Sequence, residues 1–79
     1  MTTYLSLYST SHCHLCEQAE ALIVSLMHQY DIQYEINEIA DNVELLEMYE
    51  LRIPVLKRLD TNAEIGWPFT IDDVHQFLS

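Results

Sequence analysis

The chain has 79 residues, with thirteen acidic side chains against three basic ones, and a formal net charge of −10. This length suits one small domain with a single core, which we place over residues 1–79. This negative charge repels phosphate groups. It therefore argues against nucleic-acid binding and against attachment to an anionic membrane, because both depend on Lys and Arg side chains that neutralise phosphates. No apolar run approaches the roughly 18 residues of a membrane span. The amino terminus lacks a basic segment followed by an apolar stretch, so we expect a cytoplasmic location.

The first half of the chain predicts a strand, a helix and a second strand. Residues 4–8 have an apolar side chain at every second position, which indicates a strand. From about residue 13 to residue 30 the apolar side chains recur with the period of an α-helix. The apolar stripe of this helix consists of Leu15, Leu22, Ile23, Leu26, Met27 and Tyr30. Residues 32–36 form the second strand, with Ile32, Tyr34 and Ile36 on one face, and a right-handed crossover makes the two strands parallel.

The second half predicts a short helix, a hairpin and a last helix. Residues 38–42 form an acidic turn, and a helix over residues 43–49 ends before Pro54. Strands over residues 54–59 and 63–66 are joined by a turn. Thr70 caps the final helix, whose apolar side chains are Ile71, Val74, Phe77 and Leu78. The whole order, βαβ-α-ββ-α, predicts an α/β sandwich with a four-stranded mixed sheet.

The only two cysteines, Cys13 and Cys16, lie where the first strand leads into the first helix. A lone close pair in a reducing compartment is more often redox-active or metal-binding than structural. The helix N-terminus stabilises a thiolate, which favours Cys13 as the more reactive and more exposed sulfur. Cys16 lies one turn further on, close enough for the two sulfurs to join. This arrangement predicts thiol–disulfide exchange, with Cys13 attacking a substrate disulfide and Cys16 resolving the mixed disulfide.

Other side chains near the cysteines allow more than one interpretation. A structural zinc site needs four ligands, and His12 and His14 are spaced too tightly to complete one, so we assign no metal ligands. His14 either stabilises the Cys13 thiolate as an imidazolium or is a solvated surface residue. Glu17 opposes the thiolate if it points toward the sulfurs.

The three basic residues all lie between residues 52 and 58. Arg52 is beside the predicted loop before Pro54, where it could bind a substrate carboxylate. The other interpretation, which we favour slightly, is that these bases pair within the chain. The acidic side chains considered for such pairs are Glu47, Glu50 and Asp60.

Two segments and one tyrosine carry a resemblance to a known family. They are Tyr8, the run from Cys13 to Glu17 (Cys-His-Leu-Cys-Glu) and the run from Arg52 to Leu56 (Arg-Ile-Pro-Val-Leu). At this separation and in this order of elements, the chain resembles the thioredoxin-like superfamily, in particular its glutaredoxin-like branch. The resemblance implies that Cys13 is the nucleophile and Cys16 the resolving cysteine. It also implies a cis-proline at Pro54 that packs against the dithiol, and a substrate-binding backbone at Ile53.

The chain departs from ordinary glutaredoxins at positions that bind glutathione. No Lys precedes Cys13, and Gly66-Trp67-Pro68 replaces a Gly-Gly pair whose N–H groups hold a carboxylate. We therefore expect no cofactor and little use of glutathione, although it remains a conceivable co-substrate. The expected partner is a disulfide-bearing protein or a low-molecular-weight thiol, and we expect a monomer. The alternative is a non-catalytic glutaredoxin-like module that binds a protein partner or a metal.

Overall fold

A four-stranded mixed sheet organises the chain, and the computed structural model describes all of residues 1–79. The elements are β1 (Thr3–Ser9), α1 (His14–Leu26), β2 (Ile32–Glu38), a 3₁₀ turn (Ile39–Asp41), α2 (Val43–Tyr49), β3 (Val55–Arg58), β4 (Glu64–Gly66) and α3 (Ile71–Leu78). The strand order is β2-β1-β3-β4. Strands β1 and β2 are parallel, and the other two pairs are antiparallel. The predicted α/β architecture is confirmed, and no helix is long and apolar enough to cross a membrane.

Alternation along the strands directs side chains to the two faces of the sheet, and each face has its own core. The larger core lies between the sheet and helices α1 and α3. Its buried members are Leu5, Leu7, Ala19, Ile23, Leu26, Ile32, Leu56, Phe69, Val74 and Leu78. The smaller core lies under α2 and the 3₁₀ turn, and consists of Tyr8, Ile39, Tyr49 and Val55.

The helices begin where side chains satisfy their first N–H groups. Asn42 accepts hydrogen bonds from the N–H groups of Glu44 and Leu45 at the start of α2. At the start of α3, the Thr70 hydroxyl accepts from the Asp73 N–H, while the Asp73 carboxylate accepts from the Thr70 N–H. The predicted cap at Thr70 is confirmed in this reciprocal form.

The predicted apolar stripe of α1 is partly wrong. The buried side chains of this helix are Cys16, Ala19, Ile23 and Leu26, whereas Leu15 is 44% exposed. Met27 is 39% exposed, and the helix ends at Leu26, not near residue 30. Ile36, which shares one face of β2 with Ile32 and Tyr34, is 46% exposed. For Leu15 the cause is the spacing 16-19-23-26, which sets the buried face of α1 and leaves Leu15 beside it in the first turn.

The sheet brings two loops to one of its ends. Tyr8, near the end of β1, pairs with Val55, the first residue of β3. The segment that follows β1 and the segment that precedes β3 therefore leave the sheet side by side. We call residues 10–13 the cysteine loop and residues 50–54 the proline loop. This end of the sheet holds the sequence-predicted site residues.

Candidate functional site

Cys13 and Cys16 are joined in a disulfide at the N-terminus of α1, with their Cα atoms 5.2 Å apart. Cys13 is the N-cap residue, and its Sγ accepts a hydrogen bond from the Cys16 N–H at 3.2 Å. Cys13 is half-buried, whereas Cys16 is only 5% exposed. The structure therefore brings the two predicted residues together, with Cys13 on the solvent side. A sulfur that caps a helix receives N–H donation, which stabilises its negative charge after reduction.

Glu38, at the end of β2, holds the cysteine loop in place. Its Oε1 accepts from the N–H of Ser11 at 2.9 Å and from the hydroxyl of Ser11 at 2.8 Å. Its Oε2 accepts from the Ala40 N–H at 3.2 Å. These hydrogen bonds, led by that of the Ser11 hydroxyl, lower the pKa of the Glu38 carboxyl. His12 follows in the left-handed region, with φ of 61°, and turns the chain into α1.

A cleft of about 150 Å³ lies beside the disulfide, and both cysteines line it together with His12, Glu17 and Glu20. Glu20 is half-buried and accepts a hydrogen bond from the Tyr34 hydroxyl at 2.7 Å. That hydrogen bond raises the pKa of Tyr34. Sequence reasoning missed Glu20, although its position four residues after Cys16 places both on one side of the helix.

His14 and Glu17 lie on the outer side of the first turn of α1. Their side chains are 84% and 74% exposed, and His14 Nδ1 is 3.6 Å from a Glu17 carboxylate oxygen. Both predicted modulating residues are therefore near the disulfide, and they face each other. No group of three or more His, Cys, Asp and Glu side chains is arranged so that it could hold a metal ion.

The proline loop forms the other side of this end of the sheet. The Ile53–Pro54 peptide bond is cis, and Pro54 is fully buried. The Ile53 N–H donates to the Tyr49 carbonyl at 3.0 Å, so this N–H is already engaged. The Pro54 carbonyl accepts from the Trp67 N–H at 3.0 Å, which ties the loop to the end of β4. Of the two Ile53 backbone groups, only the carbonyl has no hydrogen-bond partner within the chain.

Arg52 belongs to a cluster centred on Glu64 of β4. Glu64 accepts from Arg52 at 3.2 Å and from the Tyr49 hydroxyl at 2.5 Å. The Arg52 guanidinium also lies over the Tyr49 ring, 5.2 Å from its centroid. Burial of Tyr49, followed by its hydrogen bond to Glu64, raises the pKa of this phenol. Tyr49 in turn stacks on Tyr8 with the ring centroids 4.3 Å apart.

Internal pairing of the arginines is confirmed, but the predicted partner of Arg52 is wrong. The hairpin carries Glu64 to the side of the proline loop, where it is nearer than the acidic residues around α2. Arg58 does pair with a predicted acid, Asp60, at 2.7 Å. Arg58 also donates to the Phe77 carbonyl at 2.8 Å.

Solved structures similar to this chain share its fold over nearly all of its length. Protein XcR50 from X. campestris is 31% identical, and the match covers 94% of this chain and 93% of that one with a TM-score of 0.82. Protein Ne2328 from Nitrosomonas europaea is 28% identical, with 98% and 92% covered and a TM-score of 0.85. A mutant thioredoxin from Halobacterium salinarum is 18% identical, with 96% and 71% covered and a TM-score of 0.71, which shows the fold alone.

No curated protein matches the chain. The profile of the Glutaredoxin-like domain (DUF836) does match, over residues 4–79. This span includes both cysteines, the proline loop and every helix and strand except the first residue of β1. The sequence match and the thioredoxin-like fold agree with each other. The chain therefore belongs to the family of glutaredoxin-like domains (DUF836).

Proposed function

We propose that the protein is a thiol–disulfide oxidoreductase in which Cys13 and Cys16 alternate between a dithiol and a disulfide. The observation that carries this proposal is the Cys13–Cys16 disulfide at a helix N-terminus, with one sulfur accessible and the other covered. A bond that closes so short a loop constrains the unfolded chain little, so a structural role explains it poorly. An accessible sulfur stabilised by a helix N-terminus has the properties of an attacking thiolate.

The exchange conserves atoms and electrons in two steps. The Cys13 thiolate attacks one substrate sulfur, the substrate S–S bond breaks, and the second substrate sulfur leaves and takes a proton from solvent. Cys16 then loses its proton and attacks the Cys13 sulfur, which forms the Cys13–Cys16 bond and releases the first substrate sulfur. Two electrons have passed from the dithiol to the substrate. An external dithiol returns the protein to its reduced form.

The proline loop is the proposed platform for the substrate. The Ile53 carbonyl, next to the buried Pro54, is free to accept a hydrogen bond from an extended substrate strand. Glutathione is a poor candidate because the site offers few donors for its carboxylates. Pro68 has no N–H to donate, and Arg52 already binds Glu64.

The test is the reduction of a disulfide-bonded protein substrate by dithiothreitol, with and without the purified protein. We expect wild-type protein to accelerate the reaction and Cys13→Ser to abolish the acceleration. Cys16→Ser should instead accumulate a mixed disulfide with the substrate through Cys13, detectable by mass spectrometry. No acceleration by wild-type protein and no trapped species with Cys16→Ser would favour the non-catalytic binding module.

A further inference from the structure

The cleft beside the disulfide is lined by acidic side chains and by no Lys or Arg. Two carboxylates, Glu17 and Glu20, line the same cleft as Cys13 and Cys16. They come from successive turns of α1, so a substrate that reaches the sulfurs through this cleft passes both. The Tyr34 hydroxyl fixes Glu20 in position.

The Lys and Arg side chains that could offset these carboxylates are either paired with other groups or lie away from the disulfide. Arg52, the only basic residue of the proline loop, is paired with Glu64 at 3.2 Å. Arg58 is paired with Asp60 at 2.7 Å. Lys57 pairs in register with Ser6, further along β3 from the end that carries the disulfide. The remaining basic groups near the sulfurs are the imidazoles of His12 and His14, and His14 Nδ1 lies 3.6 Å from a Glu17 carboxylate oxygen.

From these two observations we infer that the dithiol site selects disulfides flanked by Lys or Arg and discriminates against anionic ones. This inference rests on the proposed function and names its substrate class. A substrate ammonium or guanidinium contacts Glu20 and Glu17 while the neighbouring substrate disulfide lies against Cys13. An anionic disulfide meets two carboxylates there, and no Lys or Arg lines the cleft. The proposed steps of exchange are unchanged, because the charges act on approach and orientation of the substrate.

The test is single-turnover oxidation of the reduced protein by two synthetic cyclic disulfide peptides at pH 8. The peptides are identical except that lysines flank the cysteines in one and glutamates in the other. Acid quenching and mass spectrometry measure the fraction of Cys13–Cys16 disulfide over time. We expect the lysine peptide to react faster by roughly tenfold at low ionic strength. That ratio should fall below about twofold in roughly 0.5 M salt, because exposed charges are then screened.

Two double variants separate the charge of the cleft from the charge of the whole chain. Glu17→Gln with Glu20→Gln removes two charges from the cleft and keeps an acceptor for Tyr34. Asp31→Asn with Glu35→Gln removes two charges elsewhere. Asp31 precedes β2 at the far end of the sheet, and Glu35 pairs with Ser6 on the sheet face opposite α1. We expect the first variant to lose most of the preference for the lysine peptide and the second to retain it. Circular dichroism confirms that both are folded.

The outcomes separate this inference from the proposed function. Equal rates for the two peptides, or a faster glutamate peptide, would overturn the charge selection and leave the oxidoreductase intact. Equal loss of preference in the two double variants would also overturn it, because net charge alone would then explain the effect. If neither peptide oxidises the dithiol, both the selection and the proposed function fail.

Discussion

The cysteine loop and the proline loop lie side by side at one end of the sheet, but they are fixed by different forces. Hydrogen bonds from the cysteine loop to the Glu38 carboxylate are exposed to solvent. The proline loop is anchored by Tyr49, which is 1% exposed and stacked on Tyr8. Exposed polar contacts contribute little and exchange easily with water, whereas buried aromatic packing contributes several kcal/mol. The cysteine loop is therefore held loosely, and the proline loop is held firmly.

The strongest test of this difference removes the anchor of the proline loop. Tyr49→Ala deletes a buried ring from the smaller core, and we expect it to lower the free energy of unfolding by about 3–5 kcal/mol. Urea denaturation measures the change. The matched control is Tyr4→Ala, because Tyr4 is a tyrosine of β1 that is 57% exposed. Similar losses in the two variants would show that Tyr49 is not a special anchor.

Ionisation of the Tyr49 hydroxyl should lower the free energy of unfolding at alkaline pH. Its pKa is raised in the folded state, whereas an unfolded tyrosine ionises near pH 10. The neutral phenol thus stabilises the fold fully below about pH 10, and this contribution declines as the pH rises further. Urea denaturation of the oxidised protein from about pH 8 to pH 11 should show the decline. Tyr49→Phe should reduce the decline and leave the part that comes from Tyr34, whose pKa is also raised, while Tyr4→Phe should not change it.

The two cysteines should differ in reactivity in the reduced protein. Cys13 caps α1 at the surface and Cys16 is covered, so we expect iodoacetamide to modify Cys13 at least about tenfold faster near neutral pH. Mass spectrometry after peptide digestion assigns the modified residue. Cys13→Ser and Cys16→Ser give the rate of each thiol alone. Equal rates, or faster modification of Cys16, would remove the basis for Cys13 as the nucleophile.

The smallest effect is expected for a substitution of Glu38, because its hydrogen bonds with Ser11 are exposed to solvent. Glu38→Gln weakens the hydrogen bonds from Ser11 by removing the charge, and hydrogen exchange of the Ser11 amide should accelerate by roughly threefold. Glu35→Gln on the same strand is the control, and its effect at Ser11 should be negligible.

The pH dependence of the same contact gives a second check. The lowered pKa of Glu38 means that the protection of Ser11 is complete above about pH 4.3 and is lost as the pH falls through the lowered value. Protection of Ser11 that survived well below that value would contradict the role assigned to Glu38.

The features predictable from the sequence were those with a local cause. The position of Cys13 at the start of α1 follows from the change from a two-residue to a helical period, and the cap at Thr70 follows from the residues of its own first turn. Glu38 and Glu64 were missed because their partners lie far away in sequence. Ser11 precedes Glu38 by 27 residues, and Arg52 precedes Glu64 by 12. Only the assembled sheet brings such side chains together, so pairing the nearest acids in sequence misassigned Arg52.

The proposed function requires Cys13 and Cys16 to gain and lose two electrons together as one dithiol/disulfide couple. A redox titration measures this property. The protein is equilibrated in buffers of reduced and oxidised glutathione and of reduced and oxidised dithiothreitol, which together cover a wide range of potential. Each sample is quenched with acid and alkylated, and the two forms are counted by mass spectrometry. We expect one cooperative two-electron transition between a fully alkylated and an unmodified form. That transition should be absent from both Cys13→Ser and Cys16→Ser. Cysteines that stay reduced under all conditions, or disulfides that form only between chains, would contradict it.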